Sequence, residues 1–254
     1  MPWDPAQYLR FGGYRTRPAI DLLARVPLAA PRTVYDLGCG PGNATRLLRE
    51  RWPAAHVTGV DASEEMLTRA RASRPDVDWV LADIASWRPP QPADVVFSNA
   101  ALHWLGDHAR LFPALAAQVA PGGVLAVQMP DGFHDPWHTL MHEAVRESPY
   151  REKLEPLLLV DPVGPPSFYF DLLSPHMRDV DVWKTVYLHV LEGGDPIMEW
   201  TKGSALKPLL DALPESERAP FESRYAELVR AAYPRRANGT TLFPFQRLFI
   251  VAVR

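Results

Sequence analysis

Cysteine is nearly absent from this chain of 254 residues, where Cys39 stands alone. A lone cysteine excludes an intrachain disulfide and a zinc site built on thiolates. Its place inside a glycine turn suggests a small buried filler. No apolar run approaches the ~20 residues of a membrane span. Met1-Pro2-Trp3-Asp4 lacks the basic and apolar regions of a signal peptide, so a cytoplasmic protein is expected. Excess charge is missing too. Lys and Arg total 27 against 30 Asp and Glu, a net charge of −3. That gives no broad field to attract nucleic acid or an anionic membrane. The one basic cluster, Pro234-Arg235-Arg236, reads as a solvated loop. Internal repeats and low-complexity tails are also lacking. An apolar fraction of 47% supports a full core in one domain, or one domain with an insertion. The expected form is a monomer or weak homo-oligomer.

In the first two-thirds, short apolar runs alternate with helical patterns. This predicts an α/β fold with a mostly parallel sheet and helices on both faces. Strands are expected at Thr33–Leu37, His56–Val60, Val77–Leu81, Val95–Ser98, Val124–Gln128, Val180–Val190 and Phe243–Val253. One helix should end near Trp52-Pro53. Another should start after Asp61, with Ser63 as cap and Glu64 and Glu65 at the positive end of its dipole. A third spans Leu111 to Val119, and Pro121-Gly122-Gly123 reads as a turn before the next strand. Two stretches depart from alternation. Residues of about 130–166 are rich in proline and aromatics, with a short helix after Asp135-Pro136. Residues of about 193–238 are mainly helical, with Phe221, Tyr225, Leu228, Val229 and Ala232 at helical spacing. The expected organisation is one domain over 1–254, a lid at about 1–18, and cap segments at those two insertions.

The run from Val34 to Asn43 reads as a buried strand, a glycine turn and a helix start. A second strand then ends in Asp61. Glycines at 38, 40 and 42 permit a sharp turn and close approach of backbone N–H groups to a ligand. An acid at the end of the next strand can accept hydrogen bonds from both ribose hydroxyls. The pattern therefore points to a nucleoside-bearing cofactor. A dinucleotide would call for G-x-G-x-x-G/A, yet Asn43 stands at the third required position.

With Asp36 two residues ahead of the turn, the G-x-G-x-G run resembles the first motif of class I S-adenosylmethionine-dependent methyltransferases. The resemblance implies a Rossmann-like seven-stranded sheet and S-adenosylmethionine as cofactor, with S-adenosylhomocysteine as product. It implies cofactor contacts at Asp36, Gly38, Gly40, Asn43, Asp61, Ala62 and Met66. Ala82-Asp83-Ile84 stands where that family places an acid facing adenine, so Asp83 and Ile84 join them; a helix cap is the other reading of Asp83. Ser98-Asn99-Ala100-Ala101 fits the segment beside the sulfonium, which adds Asn99 and Ala100. Over nearly its whole length the chain resembles the trans-aconitate methyltransferase family. That likeness runs from Trp3-Asp4-Pro5 through Gly123 to Asp131, then Asp181-Val182-Trp183, Glu199-Trp200 and Arg247 to Ala252. It implies esterification of one carboxylate of a small polycarboxylic acid. The alternatives are another small or apolar acid as acceptor, or a non-catalytic protein that binds the cofactor.

A carboxylate of pKa near 4 is already ionised at neutral pH. No general base is expected, and no metal. Donors should hold the non-reacting carboxylates, and Arg is the best fork for them. Arg247 interrupts an apolar strand, which suits a clamp, an internal ion pair or an outward position. His103 and Trp104 lie just past the fourth strand, and Gln128 ends the fifth. Trp137, Tyr169 and Trp200 could wall a substrate or serve as core of the inserted segments. In the N-terminal segment, dense aromatics suggest a lid or a helix packed on the sheet. Tyr8 is the first choice there for cofactor and Arg17 for substrate. His134, His138 and His142 fall one turn apart, but the zinc motif's Glu is replaced by Thr139. A helix-surface or pocket-rim role is expected for them, and a solvated position for Lys202.

Overall fold

The computed structural model describes residues 12–254. Tyr8 and most of the expected lid lie outside the described residues. In chain order the elements are α1 (Gly12–Ala24), β1 (Thr33–Leu37), α2 (Asn43–Arg51), β2 (His56–Asp61), α3 (Glu64–Ser73), β3 (Asp78–Leu81) and β4 (Ala93–Asn99). A 3-10 turn (Leu102–Trp104), α4 (His108–Ala117), β5 (Val119–Pro130), α5 (Pro136–Glu147), α6 (Arg151–Leu154) and α7 (Pro166–Leu173) follow. The remainder is β6 (Asp179–Leu191), α8 (Pro196–Lys202), α9 (Lys207–Ala212), α10 (Glu215–Ala232) and β7 (Thr241–Val253).

Local chemistry sets the boundaries. Ser63 caps α3 by accepting the Met66 N–H at 3.3 Å, and Glu64 and Glu65 fill the first turn. Pro53 stands just past Trp52, the C-cap of α2, and cannot continue the helix. Strands β1 and β4 bury four consecutive residues each, so both of their faces are covered. The strand order is β3-β2-β1-β4-β5-β7-β6. All pairs from β3 to β5 are parallel, and β7 runs antiparallel to β5. Strand order reverses between β1 and β4. In α/β sheets the ligand crevice opens at the carboxyl ends of such a pair.

Two expectations are corrected. The helix expected to reach Val119 stops at Ala117, and β5 begins at Val119, not Val124. Pro121-Gly122-Gly123 is a bulge inside that strand, because Ala93 pairs with Val119 while Val95 pairs with Val124. The other correction concerns the histidines. His138 is buried on α5, with its Nδ1 2.9 Å from the Phe133 carbonyl. Burial, with His142 beside it, pushes its pKa down to about 4. His134 lies outside the helix, 2.9 Å from Asp161. Among the described residues no group of three potential ligands could hold a metal ion. None of the described helices is long and apolar enough to cross a membrane.

The contacts divide the chain into two compact units. Among the described residues, the first comprises those up to Tyr14, then 131–161 and 186–246. Its core is Trp137, Met141, Leu154, Trp200, Tyr225 and Phe243. Within it Arg224 forks onto Glu147 at 2.6 and 3.0 Å, and Tyr225 donates to the Trp137 carbonyl at 2.7 Å. Lys202 bridges Glu222 at 2.9 Å, so it is not simply solvated. The second unit is residues 15–130, 162–185 and 247–254, and holds most of the sheet.

Candidate functional site

The glycine turn is fastened to the end of β2. Val60 O accepts from the N–H groups of Gly38 at 2.8 Å and Cys39 at 3.1 Å. Asp61 accepts from the Gly40 N–H at 2.8 Å through Oδ2 and from the Ser63 N–H at 2.9 Å through Oδ1. Each carboxylate oxygen has a second lone pair, so two further donors can still be accepted. Gly38 has φ +70°, and a Cβ there would lie 2.2 Å from Ala101 Cβ. Gly42, at φ +86°, faces the Trp79 ring, which a Cβ would meet at 2.8 Å. Thus Trp79 buttresses the turn, a role that sequence reading missed. Substituting Gly38→Ala is expected to cost about 2 kcal/mol or more through strain and overlap. The check is thermal unfolding with a cofactor titration; a wild-type Tm and affinity would refute the steric argument.

Asp36, 1% exposed at the end of β1, accepts a 2.6 Å hydrogen bond from the Thr45 hydroxyl. Burial pushes its carboxyl up to about 7, against the Thr45 bond and with a further push from Asp61. Thr45 was also missed; its signal is a small hydroxyl residue in the first turn of α2. Cys39 is buried, as expected for a filler, and burial pushes its thiol pKa well up. Asn43 starts α2 and is exposed, while Ala62 is exposed and Met66 buried at α3. Asp83 Oδ1 accepts the Ala85 N–H at 2.9 Å, and Ile84 packs toward Gly38. At the end of β4, Asn99 Oδ1 is buried without a hydrogen-bond partner among the described residues. Ala100 takes a left-handed φ of 55° there, and its N–H donates to Gln128 O at 2.9 Å.

Beside that edge three further candidates meet. Asn99 and Gln128 are register partners across β4 and β5. Gln128 pairs with Phe249 and Pro130 with Arg247 on β7, which puts Gln128 and Arg247 diagonally on one face. Arg247 is 4% exposed and Gln128 0%. The Arg247 Nη1 donates to Gln128 Oε1 at 3.4 Å, and Gln128 Nε2 has no partner among the described residues. His103 is buried close by. Desolvation, then the Arg247 charge, push its pKa down to about 3, so it is neutral. Its ring is 4.8 Å from that of Trp104. Arg17 is exposed on α1, 3.8 Å from Asp21. Trp137 and Trp200 are core residues of the first unit, where Trp137 stacks on Phe245 at 5.7 Å and Trp200 on His189 at 4.8 Å. Tyr169, expected in the inserted segments, belongs instead to the sheet unit and is fully buried.

The sheet order and the acid-flanked glycine turn define a methyltransferase-type α/β protein. A family model described as a methyltransferase domain matches residues 34–123. Among solved structures, YcgJ of Bacillus subtilis matches with TM-score 0.60 at 14% identity, over 94% of this chain and 98% of that one. Haemonchus contortus phosphoethanolamine N-methyltransferase 2, in complex with S-adenosyl-L-methionine, matches with TM-score 0.55 at 19% identity, over 94% of this chain and 52% of that one. These likenesses show the fold. More specifically, the chain is 49% identical to the trans-aconitate 2-methyltransferase of Azoarcus sp. (strain BH72) across 100% of both chains. It is 47% identical to that of Klebsiella pneumoniae (strain 342), over 98% of this chain and 97% of the other. The chain belongs to the trans-aconitate 2-methyltransferase family.

Proposed function

We propose that this protein transfers a methyl group from S-adenosylmethionine to one carboxylate of trans-aconitate, giving the monomethyl ester and S-adenosylhomocysteine. The observation that carries this reading is the buried Arg247–Gln128 pair beside His103, in a chain related end to end to proteins of that name. The residues at the glycine turn fit the cofactor. Asp61 keeps acceptor capacity suited to ribose hydroxyls, and Asn99 offers a buried acceptor in want of a donor. When bound, S-adenosylmethionine supplies a methyl group activated by positive sulfur.

The acid brings its own nucleophile, ionised at neutral pH. The chain therefore has to bind, orient and exclude water. Arg247 keeps its charge and presents a planar N–H fork to a non-reacting carboxylate. Gln128 adds two amide donors through Nε2. His103, held neutral, brings no second cation to draw charge from the reacting oxygen. Trp104 supplies an apolar wall. Orientation and desolvation of this kind contribute up to roughly 7–11 kcal/mol in well-aligned systems.

The test is a product assay with purified protein, S-adenosylmethionine and, in parallel, trans-aconitate, cis-aconitate, citrate and a long-chain fatty acid. Mass spectrometry should show one added methyl on trans-aconitate in preference to the rest. Esterification of the fatty acid alone would move the acceptor to another class, and no product from any acid would overturn the reaction.

A further inference from the structure

We infer that Tyr169 and His108 are positioning residues, linked in a hydrogen-bonded relay that holds the turn carrying His103 and Trp104. This rests on the proposed place of those two residues in the site. The relay has three bonds. The Gly164 N–H donates to the Tyr169 hydroxyl oxygen at 3.1 Å. The Tyr169 hydroxyl lies 2.7 Å from His108 Nδ1, and His108 Nε2 lies 3.0 Å from the Leu102 carbonyl.

The proton positions follow from what each group can do. A carbonyl only accepts, so Nε2 carries the hydrogen. Burial lowers the His108 pKa, with the Leu102 bond opposing, so the ring is neutral and Nδ1 is an acceptor. Tyr169 must then donate to Nδ1 while accepting from Gly164. Every polar atom of the relay is used in one sense only. Its surroundings are buried and apolar on the Phe112 side. The Phe112 ring lies 4.6 Å from Tyr169 and 5.3 Å from His108.

The relay ends one residue before His103. Leu102 O accepts both from His108 and from the Leu105 N–H at 3.0 Å, the bond that closes the 3-10 turn. The segment enters through Ala100 at φ 55° and leaves through Asp107 at φ 52°. Such left-handed conformations in non-glycine residues persist only where the surroundings hold them. Phenylalanine would fill the Tyr169 volume equally well. The hydroxyl therefore serves its two bonds, and Tyr169 acts through the turn instead of by touching substrate.

The experiment compares wild type with Tyr169→Phe, His108→Leu and His108→Gln. A glutamine amide has an acceptor and a donor spaced like the two imidazole nitrogens, so it can keep both bonds. Two readouts are taken: hydrogen–deuterium exchange over Leu102–Leu105, and kcat on trans-aconitate with KM for both substrates. Tyr169→Phe and His108→Leu should speed exchange about tenfold or more. They should lower kcat by about 10- to 100-fold, the scale of a roughly 1 Å misplacement, with KM for S-adenosylmethionine within about twofold. His108→Gln should restore slow exchange and most of kcat. Wild-type exchange and kcat in Tyr169→Phe would overturn the relay, as would a His108→Gln variant as impaired as His108→Leu. If His108→Leu does not fold, the near-isosteric Tyr169→Phe decides alone. If wild type esterifies no acid, the acceptor reading fails, and the exchange comparison still decides the relay.

Discussion

Replacing Arg247 with alanine is expected to lower kcat/KM for trans-aconitate by about 10²-fold or more while leaving S-adenosylmethionine affinity within about twofold. Breaking a buried, hydrogen-bonded charge contact costs roughly 2–5 kcal/mol, and each 1.4 kcal/mol is about tenfold. Arg247 is 4% exposed and shares a face with Gln128, so it has no route to a solvated role. The proposed cofactor residues Asp36, Gly38 and Asp61 stand at other strand ends, those of β1 and β2. Acid and cofactor effects should therefore separate. Arg247→Lys should recover only part of the loss, because an ammonium is a point charge without the planar fork. Steady-state kinetics with calorimetric cofactor titration checks all of this. Equal losses for trans-aconitate and for a long-chain monocarboxylic acid would sink the clamp, since the second acid has no further carboxylate to hold.

Gln128→Leu provides a second arm on the same pair. It removes the buried Nε2 donors and the acceptor for Arg247 together. Leucine is close in volume, so the fold should survive. The expected loss in kcat/KM is about tenfold, the scale of one hydrogen bond to a charged group. A KM for trans-aconitate unchanged from wild type would count against donation by this amide.

Much of the fold was legible because parallel strands write themselves plainly. A strand covered on both faces needs a mainly apolar run, and Val34–Leu37 and Val95–Ser98, buried throughout, are such runs but for Asp36 and Ser98. The Ser63 cap and the α5 start at Pro136 follow from chemistry within one turn. Pro121-Gly122-Gly123 misled because its composition is the same for a turn and for a bulge. Pairing with Ala93 and Val95 distinguishes them, and pairing is not local. In the site, glycines and acids at fixed offsets could be read directly. Thr45, Trp79 and His108 could not, since each acts through a partner distant in sequence or through the backbone. Tyr169 shows the limit most clearly. An aromatic residue beside the inserted segments suggested a pocket wall or a core residue, and only the fold shows its hydroxyl bonded 61 residues away to His108.

Asp36 should leave a signature in the pH dependence of stability. Its carboxyl is pushed from 3.8 to about 7 by burial, against the Thr45 bond and with help from Asp61. The folded state thus prefers the protonated form. The resulting stabilisation is fully present below about 4 and is lost as pH rises through about 7. Between pH 5 and 8 the loss is on the order of 3 kcal/mol, at ~1.4 kcal/mol per pH unit. Buried histidines act in the opposite sense. His103 is held near 3 and His138 near 4, so each costs stability as pH falls below its unfolded value of 6.5. Their slopes mask Asp36 in the wild-type curve alone. The difference between wild type and Asp36→Asn isolates it, because the histidines are common to both. Denaturant unfolding without cofactor should show Asp36→Asn gaining on wild type by roughly 2–3 kcal/mol from pH 5 to pH 8. Saturating S-adenosylmethionine, if bound at the glycine turn as proposed, should shrink that gain, since a cation near Asp36 favours the carboxylate. Parallel curves for the two proteins across this range would mean that Asp36 is ionised in the folded state, and that Thr45 alone offsets its burial.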